Sequence, residues 1–268
     1  MSISELTTYS TIIIETFHEE GGTGTGFFFD FNDADLGNTD KLIIVTNWHV
    51  IENSSTEQLI FTKIDNTGKP IDTEHLTIVL DNFESLWIPH PNHEVDLAIL
   101  PIKSILHQIP ENFYFGAFDR SHIPTKEGLE NLCAIEEVTM IGYPHGIWDE
   151  SNNKPLIRKG ITATNPRLDY CGEKEFLIDI ACFLGSSGSP VLIYNVGQYL
   201  DGADNHYFVS YRIVLLGILY SARYYTSEGK IKVVKIPAKK KQISMTDIPL
   251  NLGTVIRAER ILDFEKYI

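Results

Sequence analysis

Short runs of apolar and β-branched residues recur along this chain at 11–17, 26–31, 41–45, 58–64, 76–80 and 97–100. Between them fall segments such as Asn32-Asp33-Ala34-Asp35 and Asp65-Asn66-Thr67-Gly68, whose residue types accept the tight backbone turns that strands need at their ends. After a less regular link, a second series follows at 133–142, 156–164, 176–180, 190–194, 207–218 and 230–236. Phe27, Phe28 and Phe29 are consecutive, which predicts one strand covered on both faces. Only the last stretch changes period. Residues 251–256 read as a final strand, and Ala258, Ile261 and Leu262 alternate with Glu259, Arg260 and Asp263 at helical spacing. The pattern predicts an all-β chain of two six-stranded antiparallel β-barrels with a short C-terminal helix, closure freeing the sheets of exposed edges.

All-β proteins of this size often form one domain. The expected division is therefore a single domain over 1–268, with barrel one at about 11–105, a linker at about 106–126, and barrel two with the C-terminal segment at about 127–268. A hydrophobic content of 43% supplies enough material for such cores. No apolar stretch approaches the roughly 18–20 residues that cross a bilayer. Residues 213–220, the best candidate, lie between Arg212 and Arg223, and the N-terminal segment offers neither a basic region nor a long apolar one.

Charge and cysteine usage narrow the class further. A net charge of −14 argues against nucleic acid as a partner, because phosphate binding relies on a basic surface. Lys239-Lys240-Lys241 reads as a solvated loop beside Pro237. Cys133, Cys171 and Cys182 are odd in number and form no close pair, which speaks for core thiols in a reducing compartment. The expectation is a soluble cytoplasmic protein with no membrane partner.

Candidate chemistry centres on Phe183-Leu184-Gly185-Ser186-Ser187-Gly188-Ser189-Pro190, where glycines flank Ser187 in a tight turn. A serine hydroxyl is a poor nucleophile at neutral pH and needs a general base, which in turn needs a carboxylate to fix its tautomer. His49 follows the apolar run ending at Val45, and Asp96 opens the run Asp96-Leu97-Ala98-Ile99-Leu100. The chain order is thus His, Asp, Ser.

Those segments, with Gly24-Thr25-Gly26-Phe27 ahead of the histidine and Ile141-Gly142-Tyr143-Pro144-His145-Gly146 in the second half, resemble the trypsin-like (chymotrypsin-fold) serine proteases. The second-half segment is similar to bacterial Deg-type proteases, and Ser189 in place of a glycine is similar to the glutamyl endopeptidases. The resemblance implies a serine endopeptidase acting on protein or peptide substrates, without cofactor or metal. Ser187 is then the nucleophile, His49 the base and Asp96 the orienting acid, with the oxyanion hole formed by the N–H groups of Gly185 and Ser187. The primary pocket would be lined by Ala181 and Cys182 on one side and by Leu219, Tyr220, Ser221 and Ala222 on the other. With no carboxylate at its base, an uncharged, apolar P1 side chain is expected. Ser186 stands where secreted members carry the aspartate that captures a newly cut N-terminus, so activation by N-terminal cleavage is not expected, and control falls to substrate access, loop ordering or a regulatory protein partner. Tyr220 departs from the family, which often has a small hydroxyl residue there supporting the catalytic aspartate.

Two other readings fit the same residues: a protease-fold binding module without activity, and an esterase or self-processing hydrolase using the same triad. His90 and His93 read as polar loop residues rather than a metal pair. His145 is either an exposed turn residue or a neighbour of the active site, and Trp48 reads as barrel packing.

Overall fold

The computed structural model describes residues 3–16, 22–32, 39–109, 113–200, 207–230 and 243–268. The first sheet holds β1 (Thr11–Thr16), β2 (Gly22–Asp30), β3 (Leu42–Thr46), β4 (Thr56–Ile64), β5 (Pro70–Asp81), β6 (Ile88–Pro89), β7 (Ala98–Pro101), β8 (Phe113–Tyr114) and β9 (Phe118–Asp119). The second holds β10 (Glu137–Gly142), β11 (Leu156–Thr162), β12 (Glu175–Asp179), β13 (Pro190–Leu200), β14 (Tyr207–Lys230) and β15 (Ile243–Arg257). The second sheet closes as a barrel in the order β10-β11-β12-β15-β14-β13. The first runs β5-β4-β1-β2-β3-β7-β6, with β8 on β4 and β9 on β2.

This is the expected two-sheet β fold. The nine strands of the first sheet comprise six of four residues or more and three two-residue strands, β6, β8 and β9, too short to leave a periodic signal. The β2–β9 pair is parallel, unlike the rest. The segment expected as a linker at about 106–126 carries short 3₁₀ turns at Leu106–Gln108 and Arg120–His122 as well as β8 and β9. The strand expected at 207–218 is only the first half of β14. Of the strand expected at 230–236, residues 231–236 lie outside the described residues, as does Lys239-Lys240-Lys241. The C-terminal helix is a 3₁₀ helix, Ala258–Tyr267, whose buried positions are Ala258, Ile261 and Phe264. Spacing of three suits three residues per turn.

Three apolar clusters explain the arrangement. Phe28, on one face of β2, joins Ile12, Ile44 and Leu59 inside the first sheet. Phe27 and Phe29 point the other way and meet Leu192, Leu215 and Ile256 of the second sheet, together with Ile261 and Phe264 of the 3₁₀ helix. The period-2 alternation of a strand thus spends one face on its own core and the other on the junction between sheets. Val138, Met140, Ile178, Val191 and Leu219 fill the closed barrel.

Polar contacts cross the junction as well. In the β10–β11 connection, Asn153 Nδ2 donates to Thr62 Oγ1 at 2.9 Å, and Lys154 Nζ donates to Asp72 Oδ1 at 2.7 Å while lying 3.4 Å above the Tyr9 ring. Tyr9 donates its hydroxyl to the same carboxylate at 2.6 Å. At the far end, the buried His90 lies 3.1 Å through Nε2 from Asp263 and packs edge-on against Phe264. His90 therefore ties the 3₁₀ helix to the first sheet, a buried role rather than that of a solvated loop histidine. Among the described residues, no helix is long and apolar enough to cross a membrane.

Candidate active site

At the end of β3 the chain turns through Asn47 into the short helix Trp48–Ile51, which carries His49. His49 Nδ1 lies 2.5 Å from Asp96 Oδ2, and the His49 backbone N–H donates to Asp96 Oδ1 at 3.0 Å. Asn47 Nδ2 donates to the Asp96 carbonyl oxygen at 2.8 Å, fixing the backbone that presents the carboxylate. An ionised carboxylate only accepts hydrogen bonds, so Nδ1 carries a ring proton, and in the neutral imidazole Nε2 is then the nitrogen with the lone pair. The two side chains are 44% and 27% exposed, which leaves the imidazole open to a substrate.

Ser187 is the second residue of the latter of two successive tight turns, 183–186 and 186–189. Ser186 N–H donates to the Phe183 carbonyl at 3.0 Å with Gly185 at φ +83°, and Ser189 N–H donates to the Ser186 carbonyl at 3.1 Å with Gly188 at φ +85°. A positive φ at the third residue marks the type II turn, which glycine enters without the steric penalty of a side chain. At Gly188 space is also decisive, because a methyl group there would overlap the Thr25 carbonyl oxygen and Thr46 Oγ1.

One short stretch of β2 touches both halves of the site. Thr25 donates its backbone N–H to the Ser187 carbonyl at 2.9 Å and its hydroxyl to the Gly185 carbonyl at 3.0 Å, and it accepts from Tyr143 N–H at 3.1 Å. Thr46 at the end of β3 donates to the Thr25 carbonyl at 2.7 Å. Gly24 packs directly beneath Val50 of the histidine helix. From the other side, Gly188 N–H donates to the Leu219 carbonyl at 2.8 Å and Leu219 N–H to the Ser189 carbonyl at 3.0 Å. The serine turn is thereby pinned between β2 and β14.

The backbone N–H groups of Gly185 and Ser187 donate to no acceptor among the described residues. The Leu184 carbonyl accepts from His145 N–H at 2.6 Å. In a trans peptide the N–H points opposite to the C=O, so this bond turns the Gly185 N–H away from His145. Ser186, the neutral residue before Ser187, is 1% exposed, and its hydroxyl accepts from Phe183 N–H at 3.4 Å.

Of the expected pocket residues, Ala181, Tyr220, Ser221 and Ala222 are half-buried, whereas Leu219 and Cys182 face the barrel core. Cys182 is 1% exposed, and burial pushes its thiol up to about 12. It offers a substrate no surface. Tyr220 sits at a register shift between Leu219 and Ser221, and its hydroxyl donates to Glu175 Oε2 at 3.1 Å instead of supporting Asp96. Such a bulge re-aims a side chain. Burial and the adjacent Glu175 push that phenol up to about 12. His145 is exposed, with its ring 5.4 Å from that of Phe183, so it is both a turn residue and a neighbour of the serine turn. Trp48 packs on the first core and also borders a cleft of about 340 Å³ beside the dyad, shared with Glu52, Pro89, His93 and Asp96.

Thr25, Asn47, Glu175 and Arg158, which donates to the Ala181 carbonyl at 2.7 Å, support these groups without any signal of their own in the sequence. Only the glycine-threonine alternation of residues 22–26 marks Thr25 as a place of close backbone approach.

Comparison with curated proteins finds no match. Among solved structures the chain is similar to the HtrA-type protease AlgW with tripeptide, at 16% identity and a TM-score of 0.50, over 97% of this chain and 60% of that one. The Rv3671c protease from M. tuberculosis in its active form shares 16% identity over 97% of this chain and 81% of that one, at a TM-score of 0.46. This chain thus spans about 60% of the length of AlgW, and that likeness bears on the fold. The family described as trypsin-like peptidase domain matches residues 24–198, well over half of the sequence, and on that match the chain belongs to the trypsin-like peptidase family.

Proposed function

We propose that this chain is a serine endopeptidase that cleaves peptide bonds through an acyl-enzyme, with Ser187 as nucleophile, His49 as general base and Asp96 as its orienting acid. The observation that carries this reading is the two-point contact of His49 with Asp96, which leaves Nε2 as a proton acceptor. His49 takes the Ser187 proton as Oγ attacks the substrate carbonyl, and returns it to the leaving amine. The unpaired N–H groups of Gly185 and Ser187 stabilise the tetrahedral oxyanion, and the second half-reaction repeats the sequence with water. The peptide class of substrate accords with the tripeptide carried by AlgW, and a P1 side chain without charge accords with the absence of a carboxylate among Ala181, Tyr220 and Ala222. The three cysteines, none in a disulfide, support placing the protein in the cytoplasm.

The test is labelling of the purified chain with a fluorophosphonate, comparison with Ser187→Ala, and a peptide-library profile. Labelling and peptide cleavage should both vanish in Ser187→Ala, with turnover falling by roughly ten-thousandfold or more. Labelling without peptide cleavage would point to an esterase or self-processing hydrolase, and absence of labelling to a binding module.

A further inference from the structure

The wall that carries the oxyanion turn, residues 181–185, is held by contacts other than strand pairing. The last sheet-like bond before it joins Ile180 N–H to the Asn251 carbonyl at 2.9 Å. Beyond that point Arg158 Nη1 holds the Ala181 carbonyl at 2.7 Å, and His145 N–H holds the Leu184 carbonyl at 2.6 Å. Between these two bonds lies the Phe183 ring, with the Arg158 guanidinium 4.8 Å from its centroid and the His145 ring 5.4 Å from it. Arg158 stands opposite Met140 in the β10–β11 register, and directly opposed residues share a face. Met140 is in the barrel core, so Arg158 rises from the core side of β11 toward the turn. Among the described residues no carboxylate pairs with Arg158. Its charge is spent on a carbonyl and an aromatic ring, both in the wall.

We propose that Arg158 is a positioning residue for the oxyanion hole. Acting through Ala181 and Phe183, with His145 as the opposing jaw, it keeps the Leu184–Gly185 peptide turned so that the Gly185 N–H stays available to the substrate oxygen. This assignment rests on the proposed hydrolase reading and deepens it. An arginine suits the place because its planar guanidinium can donate to a carbonyl and cover an aromatic face at once, which an ammonium does less well.

The experiment compares wild type, Arg158→Met, Arg158→Lys and Phe183→Leu with a cleaved peptide substrate, and then with a peptide aldehyde and the matching peptide alcohol as inhibitors. The aldehyde forms a tetrahedral oxyanion with Ser187, whereas the alcohol occupies only the ground-state subsites. For Arg158→Met, kcat should fall roughly thirtyfold, less than the roughly hundredfold to thousandfold that outright loss of one oxyanion donor costs, because the Gly185 N–H is misplaced rather than removed, and KM should stay within about threefold. The aldehyde inhibition constant should rise in proportion to the loss in kcat/KM while that of the alcohol is unchanged. Arg158→Lys should recover part of the loss, and Phe183→Leu should repeat it in a chain that keeps the arginine. Equal weakening of both inhibitors, or wild-type kcat in Arg158→Met, would overturn the assignment while leaving the hydrolase reading intact. A wild-type chain that reacts with neither aldehyde nor fluorophosphonate would overturn both.

Discussion

Thr25 holds the Ser187 carbonyl through its backbone N–H at 2.9 Å and the Gly185 carbonyl through its hydroxyl at 3.0 Å, so one residue of the first sheet sets both ends of a turn that belongs to the second. Thr25 is fully buried, and its hydroxyl also accepts from Tyr143 N–H. Thr25→Val keeps the shape and strips both hydroxyl bonds. Leaving buried backbone groups unpaired should cost about 2–3 kcal/mol in denaturant unfolding. Thr25→Ser should recover most of it, and a valine variant as stable and as active as wild type would remove Thr25 from the site's support.

Asp96→Asn should keep the geometry and lose the chemistry. An amide can donate as well as accept, so it no longer dictates that the proton sits on His49 Nδ1. Turnover should fall roughly ten-thousandfold at neutral pH, as expected when the base is held in the wrong tautomer. A loss of less than tenfold would mean that Asp96 is not the orienting acid.

Glu57 on β4 is fully buried, and burial, offset in part by a hydrogen bond from Ser54, pushes its carboxyl up to about 8 from an ordinary 4.5. A group whose pKa is higher folded than unfolded binds its proton more tightly in the native state. Its stabilising effect is therefore complete below the unfolded value and is lost as pH rises toward 8. Glu57→Gln, which stays neutral, should gain stability relative to wild type between pH 5 and pH 8. Denaturant midpoints measured at both pH values should diverge, and parallel midpoints would show that Glu57 ionises as readily in the fold as in the unfolded chain.

The cysteines should separate by reactivity. Cys171 is exposed in the left-handed turn before Gly172, whereas Cys182 is buried with its thiol pushed up to about 12. Iodoacetamide at pH 8 should modify Cys171 in the native chain and reach Cys182 only on unfolding, because the thiolate is the reactive form. Peptide mapping by mass spectrometry reads this directly, and native labelling of Cys182 would contradict its place in the core.

The sheets and the site were legible in the sequence to different depths. Phe27, Phe28 and Phe29 announced a strand with two covered faces, and the structure gives one face to each of two cores. His49 and Asp96 stand out because their residue types suit acid–base chemistry, and the fold brings them together across distant segments. Asn47 and Arg158 are silent, since each serves a backbone carbonyl and any carbonyl looks the same in a sequence, and Thr25 is marked only by the glycines around it. The resemblance places Cys182 in the pocket, yet its thiol faces the barrel core. Tyr220 was displaced by a bulge, which shifts which way a side chain points without altering residue order. The long β14 reads short in the sequence because its apolar run ends at Tyr220, while the strand continues through the more polar 221–230 by pairing with β15.

That change of partner has a mechanical reading. Along β14, residues 207–218 lie against β13 and residues 217–230 against β15, and Gly217 and Ile218 pair with both strands. Leu219, the next residue, carries the Gly188 and Ser189 backbone. β14 is thus a beam clamped at its middle, and the clamp adjoins the support of the Ser187 turn. A single-residue slip at Gly217 would displace that turn as a whole.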